Sequence, residues 1–140
     1  LPKERWQHQS IHMTTSTPSP IRLEPRTAQF ALDVRKLIHK VSSKDFLSGD
    51  AHELLQASGA LGASYVAASE APSKKAFAFF IRSALTQAKQ ARYWLRLLDA
   101  GEASSLTKER DRLVEEADVL LKIFGASLRT MRANAEPVAA

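Results

Sequence analysis

Residues 73–98 read SKKAFAFFIRSALTQAKQARYWLRLL and carry the pattern that decides the fold. Apolar residues recur in this stretch at spacings that alternate between four and three positions. Residues at this spacing lie on one face of a helix, and such a face packs against antiparallel neighbours in a bundle. The pattern therefore predicts a helix over about 73–100, with Ser73 as its N-cap and Gly101 ending it. The apolar stripe of this helix consists of Phe77, Ile81, Ala84, Ala88, Ala91, Leu95 and Leu98.

Three other segments show helical apolar spacing, over residues 27–43, 50–70 and 105–133. Thr27 and Asp50 are N-cap candidates for the first two, and Pro72 breaks the chain before the third helix. No segment shows the alternation of apolar and polar residues that is typical of a strand. Short connections place sequential helices side by side in opposite directions. The sequence therefore predicts an all-α protein, an up-and-down antiparallel four-helix bundle over residues 27–133.

The two ends of the chain are predicted to lie outside this bundle. Residues 1–26 contain four of the six prolines and a Ser/Thr/Pro run over 14–20, which favours a disordered or loosely docked tail. Residues 134–140 are expected to form a short C-terminal tail. The longest apolar run surrounds residues 76–81 and no export signal is evident, so we expect a cytoplasmic protein with no membrane partner.

Composition and motifs argue against catalysis. The 140 residues include no cysteine, which removes thiol chemistry and Cys-ligated zinc. His8 and His12 have the spacing of a metal pair but no third ligand nearby, so no metal site is predicted. No phosphate-binding glycine loop or nucleophile motif is present, and the acids at 115, 116 and 118 predict a solvated face. We therefore expect a protein without enzymatic activity, cofactor or small-molecule substrate.

The second helix contains a run of small residues over 57–64, ASGALGAS. A glycine inside a helix costs roughly 0.5–1 kcal/mol relative to alanine, so a close approach by a neighbouring backbone is expected to offset that cost. The alanines of the third helix are the expected partner in this contact.

Positive charge concentrates on the third helix. The net charge of the whole chain is +5, and residues 73–101 contain six basic residues against the single acid Asp99. One hypothesis is a ridge that binds nucleic-acid phosphates without base preference. The alternative is that acids of neighbouring helices, such as Glu53, Glu109 and Glu116, neutralise these charges. The candidate nucleic-acid-binding residues are Lys75, Arg82, Lys89, Arg92 and Arg96.

Large apolar residues also extend beyond the stripe of the third helix and widen its apolar arc to roughly 200°. A helix of a two-layer bundle usually buries a narrower face, so this width favours self-association. The alternatives are that these side chains cap the edge of the bundle or that the N-terminal tail covers them. The candidate interface residues are Phe79, Phe80, Tyr93, Trp94 and Leu97.

Several blocks of sequence resemble the "four helix bundle protein" family, first noticed as open reading frames in intervening sequences of bacterial 23S ribosomal RNA genes. The blocks are SGALGASY over 58–65, SKKAF over 73–77, RYWLRLL over 92–98, and parts of the first and last helices. The likeness covers about residues 27–133. The sequence departs from the family pattern where Ser64 replaces a frequent Asn, Ala67 a frequent Glu, and Gln87 and Gln90 frequent acids.

This resemblance implies an up-and-down bundle that assembles as a homopentamer. It also implies kinship to the accessory protein of diversity-generating retroelements, which is thought to contact nucleic acid and a reverse transcriptase. No enzymatic activity is attributed to the family, and its molecular role is generally unassigned. Our interpretation is a non-enzymatic oligomer that contacts RNA or DNA through its third helix; the alternative is a protein-interaction scaffold that binds no nucleic acid.

Overall fold

The computed structural model describes residues 22–41, 48–98 and 104–135, and within these ranges the regular structure is helical, with no strand. The helices are α1 (Leu23–Lys40), α2 (Ser48–Ser69), α3 (Lys74–Leu97) and α4 (Ser104–Ala135). The predicted all-α four-helix bundle is confirmed. None of the helices in the described ranges combines the length and apolar character that a membrane span requires.

The four helices form a closed ring in which each packs against two others. Contacts join α1 to α2, α2 to α3, α3 to α4, and α4 back to α1. Arg26 near the start of α1 pairs with Glu116, whereas Lys40 at its end pairs with Glu109. Residue numbers rise along α1 while those of its partners on α4 fall, so these two helices run in opposite directions. The same holds for α3 and α4, because Arg110 donates a hydrogen bond to the carbonyl of Leu98 while Arg92 pairs with Asp118.

The core lies along the axis of this ring. Every residue of the predicted α3 stripe is buried, from Phe77 to Leu98. The buried residues in the middle of α3 are the alanines Ala84, Ala88 and Ala91. Their small side chains keep this part of the helix narrow and let α2 pack closely against it. A hydrogen bond of 3.0 Å between the hydroxyls of Ser64 and Ser83 links the same two helices. The largest fully buried side chains from the other helices include Phe30, Leu37, Leu54, Leu61, Leu113, Leu120 and Phe124.

The start of α1 differs from the prediction. The helix begins at Leu23 and not at Thr27, so residues 23–26 belong to the bundle rather than to the tail. Pro25 lies in the first turn, where a helix has no acceptor for a backbone N–H and therefore tolerates proline. Thr27 is not an N-cap: it is buried, and its hydroxyl donates to the carbonyl of Glu24 at 3.0 Å.

Other helix ends differ by a few residues. α1 ends at Lys40 rather than near 43, and α2 begins at Ser48, which places Asp50 in the first turn rather than at the cap. The predicted cap of α3 is correct, since the Ser73 hydroxyl accepts a hydrogen bond from the backbone N–H of Ala76 at 3.1 Å. α3 ends at Leu97, before the predicted 100. α4 spans Ser104–Ala135, so residues 134 and 135 belong to the helix rather than to the predicted C-terminal tail. Gly101 and the segments over 1–21 and 136–140 lie outside the described residues.

The close approach at the α2 glycines involves α1, which corrects the expectation that α3 would be the partner. A Cβ atom added to Gly62 would lie 3.1 Å from the Thr27 hydroxyl oxygen and 3.3 Å from the Thr27 Cβ. One added to Gly59 would meet only the end of the Arg35 side chain, at 3.6 Å. Of these two glycines, Gly62 therefore makes the tight contact, where α1 crosses α2.

Candidate functional site

A row of four cations follows the outer side of α3. Lys75, Arg82, Lys89 and Arg96 are all exposed and recur every seven residues, about 10.5 Å apart along the helix axis. Within the described part of the chain, no carboxylate lies at ion-pair distance from any of them. We call these four residues the basic ridge.

Two of the acids expected to neutralise this row are engaged elsewhere. Glu116 accepts two hydrogen bonds from Arg26 of α1, at 2.7 and 3.0 Å, and this contact raises the pKa of the Arg26 guanidinium. Glu109 pairs with Lys40, also on α1, at 3.3 Å. Glu53 is exposed on α2 and makes no ion pair among the described residues. Glu109 and Glu116 therefore link α1 to α4 and do not cancel the charge of the basic ridge. Glu53 lines a surface hollow together with Lys89 but is not at ion-pair distance from it.

Arg92 differs from the other four candidate binding residues. Its guanidinium donates to Asp118 of α4 at 2.6 Å, and about a quarter of its side chain is exposed (24%). Lys122 also lies 3.0 Å from Asp118. Hydrogen bonds from Lys122 and from Arg92 lower the pKa of the Asp118 carboxyl. The charge of Arg92 is thus used within the α3–α4 contact.

The five apolar interface candidates divide into two groups. Phe80 and Trp94 are partly buried and pack against the core. Phe79, Tyr93 and Leu97 are 60%, 56% and 50% exposed. Each exposed ring contacts a partly buried one edge-on, with centroids 5.2 Å apart in both the Phe79–Phe80 and the Tyr93–Trp94 pairs. We call the exposed group, Phe79, Tyr93 and Leu97, the apolar outer face.

The basic ridge and the apolar outer face meet at Tyr93. This residue lies four positions after Lys89 and three before Arg96, so the three side chains are neighbours on the helix surface. A shallow hollow of about 330 Å³ opens here between α2 and α3, lined by Glu53, Thr86, Lys89, Gln90, Tyr93 and Trp94. Base stacking was not predicted from the sequence, whereas the structure leaves the Tyr93 ring exposed enough to make such a contact.

Sequence reasoning missed the contribution of α4 to this charged surface. Arg132 lies near the end of α4 and lines a groove together with Lys74, Lys75 and Arg82. No local pattern indicates this neighbour, because it depends on the antiparallel register of α3 and α4. Its proximity extends the positive surface from one helix to two.

Side chains able to hold a metal ion do not converge in the described ranges. No set of three His, Asp or Glu side chains there is placed to hold a metal ion. His39 and His52 are exposed on separate helices, and His8 and His12 lie outside the described residues. Burial raises the pKa of the Tyr65 hydroxyl, but that ring packs against Phe124 at 6.2 Å as part of the core.

The fold and the surface of α3 define an all-helical bundle protein, and comparison with known proteins agrees. A solved structure, a protein of unknown function from the S23 ribosomal protein family of Bacteroides thetaiotaomicron, aligns with a TM-score of 0.64 and 18% identity. The alignment covers 77% of this chain and 99% of that one. No protein-family model matches the sequence, and no curated protein matches it significantly. The likeness shows a shared fold and is consistent with the resemblance to the intervening-sequence proteins.

Proposed function

We propose that this chain is a non-enzymatic, self-associating bundle protein of the cytoplasm that contacts nucleic acid through the basic ridge. The observation that carries the proposal is the row of four exposed cations on α3, which have no ion-pair partner among the described residues. Like charges along one helix face disfavour the helix slightly, and a polyanion lying along the ridge would offset this repulsion. The implied homopentamer would present the ridge several times and strengthen its field.

The expected binding mode is contact with phosphates. Lysine and arginine that neutralise phosphates release counterions, so affinity falls steeply with salt and depends little on base sequence. Arg92 contributes less in this mode because Asp118 holds its guanidinium. We therefore assign the binding to Lys75, Arg82, Lys89 and Arg96.

Removing two ridge charges is expected to weaken binding markedly. The Arg82→Gln/Lys89→Gln variant should bind a mixed-sequence RNA or DNA oligonucleotide at least about tenfold more weakly. The slope of log affinity against log salt should become shallower by about 0.9 for each duplex phosphate that the variant no longer neutralises. Fluorescence anisotropy across a salt series measures both quantities.

The matched control is Lys36→Gln/Lys108→Gln, which removes the same charge from exposed positions on α1 and α4. This control should keep the parental slope. Equal losses of affinity in the two variants would show that only net charge matters, and an unchanged affinity in the ridge variant would reject the ridge.

The apolar outer face supports a second candidate function, a protein-interaction scaffold. Tyr93 and Leu97 are neighbours one helical turn apart, and Phe79 lies on the same side of α3 nearer its start; exposed apolar side chains of this size are typical of contact surfaces. In this alternative the basic ridge is only a solvated face. The function of the protein is then to bind other copies of itself or another protein. A chain that self-associates but ignores nucleic acid at low salt would favour the scaffold.

Self-association is expected to depend on the apolar outer face. Light scattering should give the parental protein a mass well above the 15.5 kDa of one chain. The Phe79→Ser/Leu97→Ser variant should shift toward 15.5 kDa, because two large apolar side chains are removed from the interface. Leu32→Ser is the control, since Leu32 is 52% exposed but lies on α1. If light scattering gives the parental protein the mass of a single chain, the apolar outer face is not a contact between subunits.

A further inference from the structure

A groove lies between the first turns of α3 and the last turns of α4. Its volume is about 360 Å³. The floor is apolar and consists of Ala78, Leu128 and Met131. Four basic side chains surround this floor, namely Lys74, Lys75, Arg82 and Arg132. We call this feature the α3–α4 groove.

The antiparallel packing of the two helices builds this groove. The Ser73 cap sets the start of α3 and so places Lys74 and Lys75 in its first turn. α4 runs past that point to residue 135, which brings Arg132 from the opposite side. Leu128 and Met131 are 8% and 7% exposed, so the floor is a continuation of the core rather than a separate surface.

The charges around the groove are unbalanced. Among the described residues, no acidic side chain lines the groove and no carboxylate lies at ion-pair distance from any of its four cations. Four positive groups around a low-dielectric wall focus a positive potential into the concavity. An anion bound there would gain charge-assisted hydrogen bonds from lysine and arginine donors.

The apolar floor distinguishes this groove from the rest of the basic ridge. A phosphate backbone would engage only the cations and make no use of the apolar floor. A ligand with an apolar body would cover the floor while its head met the rim. The volume is within the range of about 300–1,000 Å³ typical of small-molecule sites, and methionine adapts readily to the shape of an apolar ligand.

We propose that the α3–α4 groove binds an anionic amphiphile, a molecule with a carboxylate or phosphate head and an aliphatic or aromatic body. The head is held by Lys74, Lys75, Arg82 and Arg132, and the body lies on Ala78, Leu128 and Met131. The proposal does not depend on nucleic-acid binding, since Lys74, Arg132 and the floor lie outside the basic ridge.

The first experiment separates head from body with three probes of the full chain. Decanoate should bind and shift the methyl resonances of Leu128 and Met131, as followed by NMR and calorimetry. Butyrate, which keeps the head, and decanol, which keeps the body, should each bind at least about tenfold more weakly. Equal affinities for butyrate and decanoate would show that the site is only a charged patch and would overturn the proposal. Decanoate binding that leaves the methyl resonances of Leu128 and Met131 unchanged would also overturn it.

The second experiment uses variants matched in charge. Lys74→Gln/Arg132→Gln should weaken decanoate binding at least about tenfold, whereas Lys89→Gln/Arg96→Gln should leave it within about twofold. Ala78→Phe fills the floor without changing charge and should abolish binding, with circular dichroism confirming an intact bundle. Equal losses of affinity in the two charge variants, or undiminished binding to the Ala78→Phe variant, would overturn the proposal.

A vesicle arm distinguishes a free amphiphile from one held in a membrane. Phosphatidylglycerol vesicles should retain the Lys74→Gln/Arg132→Gln and Lys89→Gln/Arg96→Gln variants equally, because the groove acts on single molecules in solution. If the protein does not bind decanoate but binds vesicles in a way that requires Lys74 and Arg132, the assignment of a free amphiphile to the groove would be contradicted.

Discussion

Replacing Phe77 by alanine is expected to lower the free energy of unfolding by about 3–5 kcal/mol. The Phe77 side chain is fully buried (0% exposed) in the first third of α3, where it belongs to the hydrophobic core. Its removal forfeits the transfer free energy of the ring and leaves a cavity that close-packed helices fill only in part. Urea unfolding followed by circular dichroism measures the effect.

Phe79 provides the matched control, two residues away on the same helix. Its ring is 60% exposed, so Phe79→Ala should change the free energy of unfolding by less than about 0.5 kcal/mol. Both variants should be compared at a protein concentration where light scattering shows one species, because Phe79 lies on the apolar outer face. Equal destabilisation by Phe77→Ala and Phe79→Ala would contradict the burial pattern of α3.

Replacing Gly62 by leucine is expected to destabilise the bundle by about 1–3 kcal/mol or more. Even a Cβ atom at this position lies 3.1 Å from the Thr27 hydroxyl oxygen and 3.3 Å from the Thr27 Cβ. Thr27 is 1% exposed and its Cβ is attached to the α1 backbone, so the contact is relieved only if α1 moves away from α2. This cost exceeds the gain of roughly 0.5–1 kcal/mol from removing a glycine inside a helix. Urea unfolding measures this change as well.

The same substitution at Gly59 tests whether the contact, and not the residue type, sets the cost. A Cβ atom there meets only the Arg35 guanidinium at 3.6 Å, and that side chain is exposed and can turn aside. Gly59→Leu should therefore leave stability unchanged or raise it by up to about 1 kcal/mol. A stable Gly62→Leu variant would mean that α1 and α2 are not held together at Thr27.

The two sites on α3 share a border. Lys75 and Arg82 belong both to the basic ridge and to the rim of the α3–α4 groove. An amphiphile in the groove would occupy these two cations and lower the positive charge at this end of the ridge, and it would leave Lys89 and Arg96 free. If both proposals hold, decanoate should weaken nucleic-acid binding at this end of the ridge without abolishing it.

Much of the fold was predictable because helical periodicity is a local property. The alternating spacing of apolar residues along α3 identified its buried positions, and Ser73 identified its start. Local signals misled at α1, where Thr27 has the chemistry of a cap but is buried inside the helix. Pro25 did not mark the boundary because the first turn of a helix tolerates proline.

The candidate sites were predictable only in part. Heptad spacing placed the four exposed cations of the ridge on one face, since that depends on α3 alone. The partner of Arg92, the pairing of Glu109 and Glu116 with α1, and the position of Arg132 beside Lys74 all depend on how helices align with one another. Long side chains find partners across helices that sequence spacing does not reveal.

The sequence by itself determined that this chain forms amphipathic helices, which faces they bury, and that α3 carries both excess positive charge and excess apolar surface. These properties follow from residue order through the period of the helix. Tertiary structure alone decided that Gly62 meets α1, that Glu109 and Glu116 of α4 pair with α1 rather than with the ridge, and that a cation-rimmed groove opens at the end of the bundle. Those outcomes depend on the register and rotation of packed helices, which are set by the fit of the whole core rather than by any one segment.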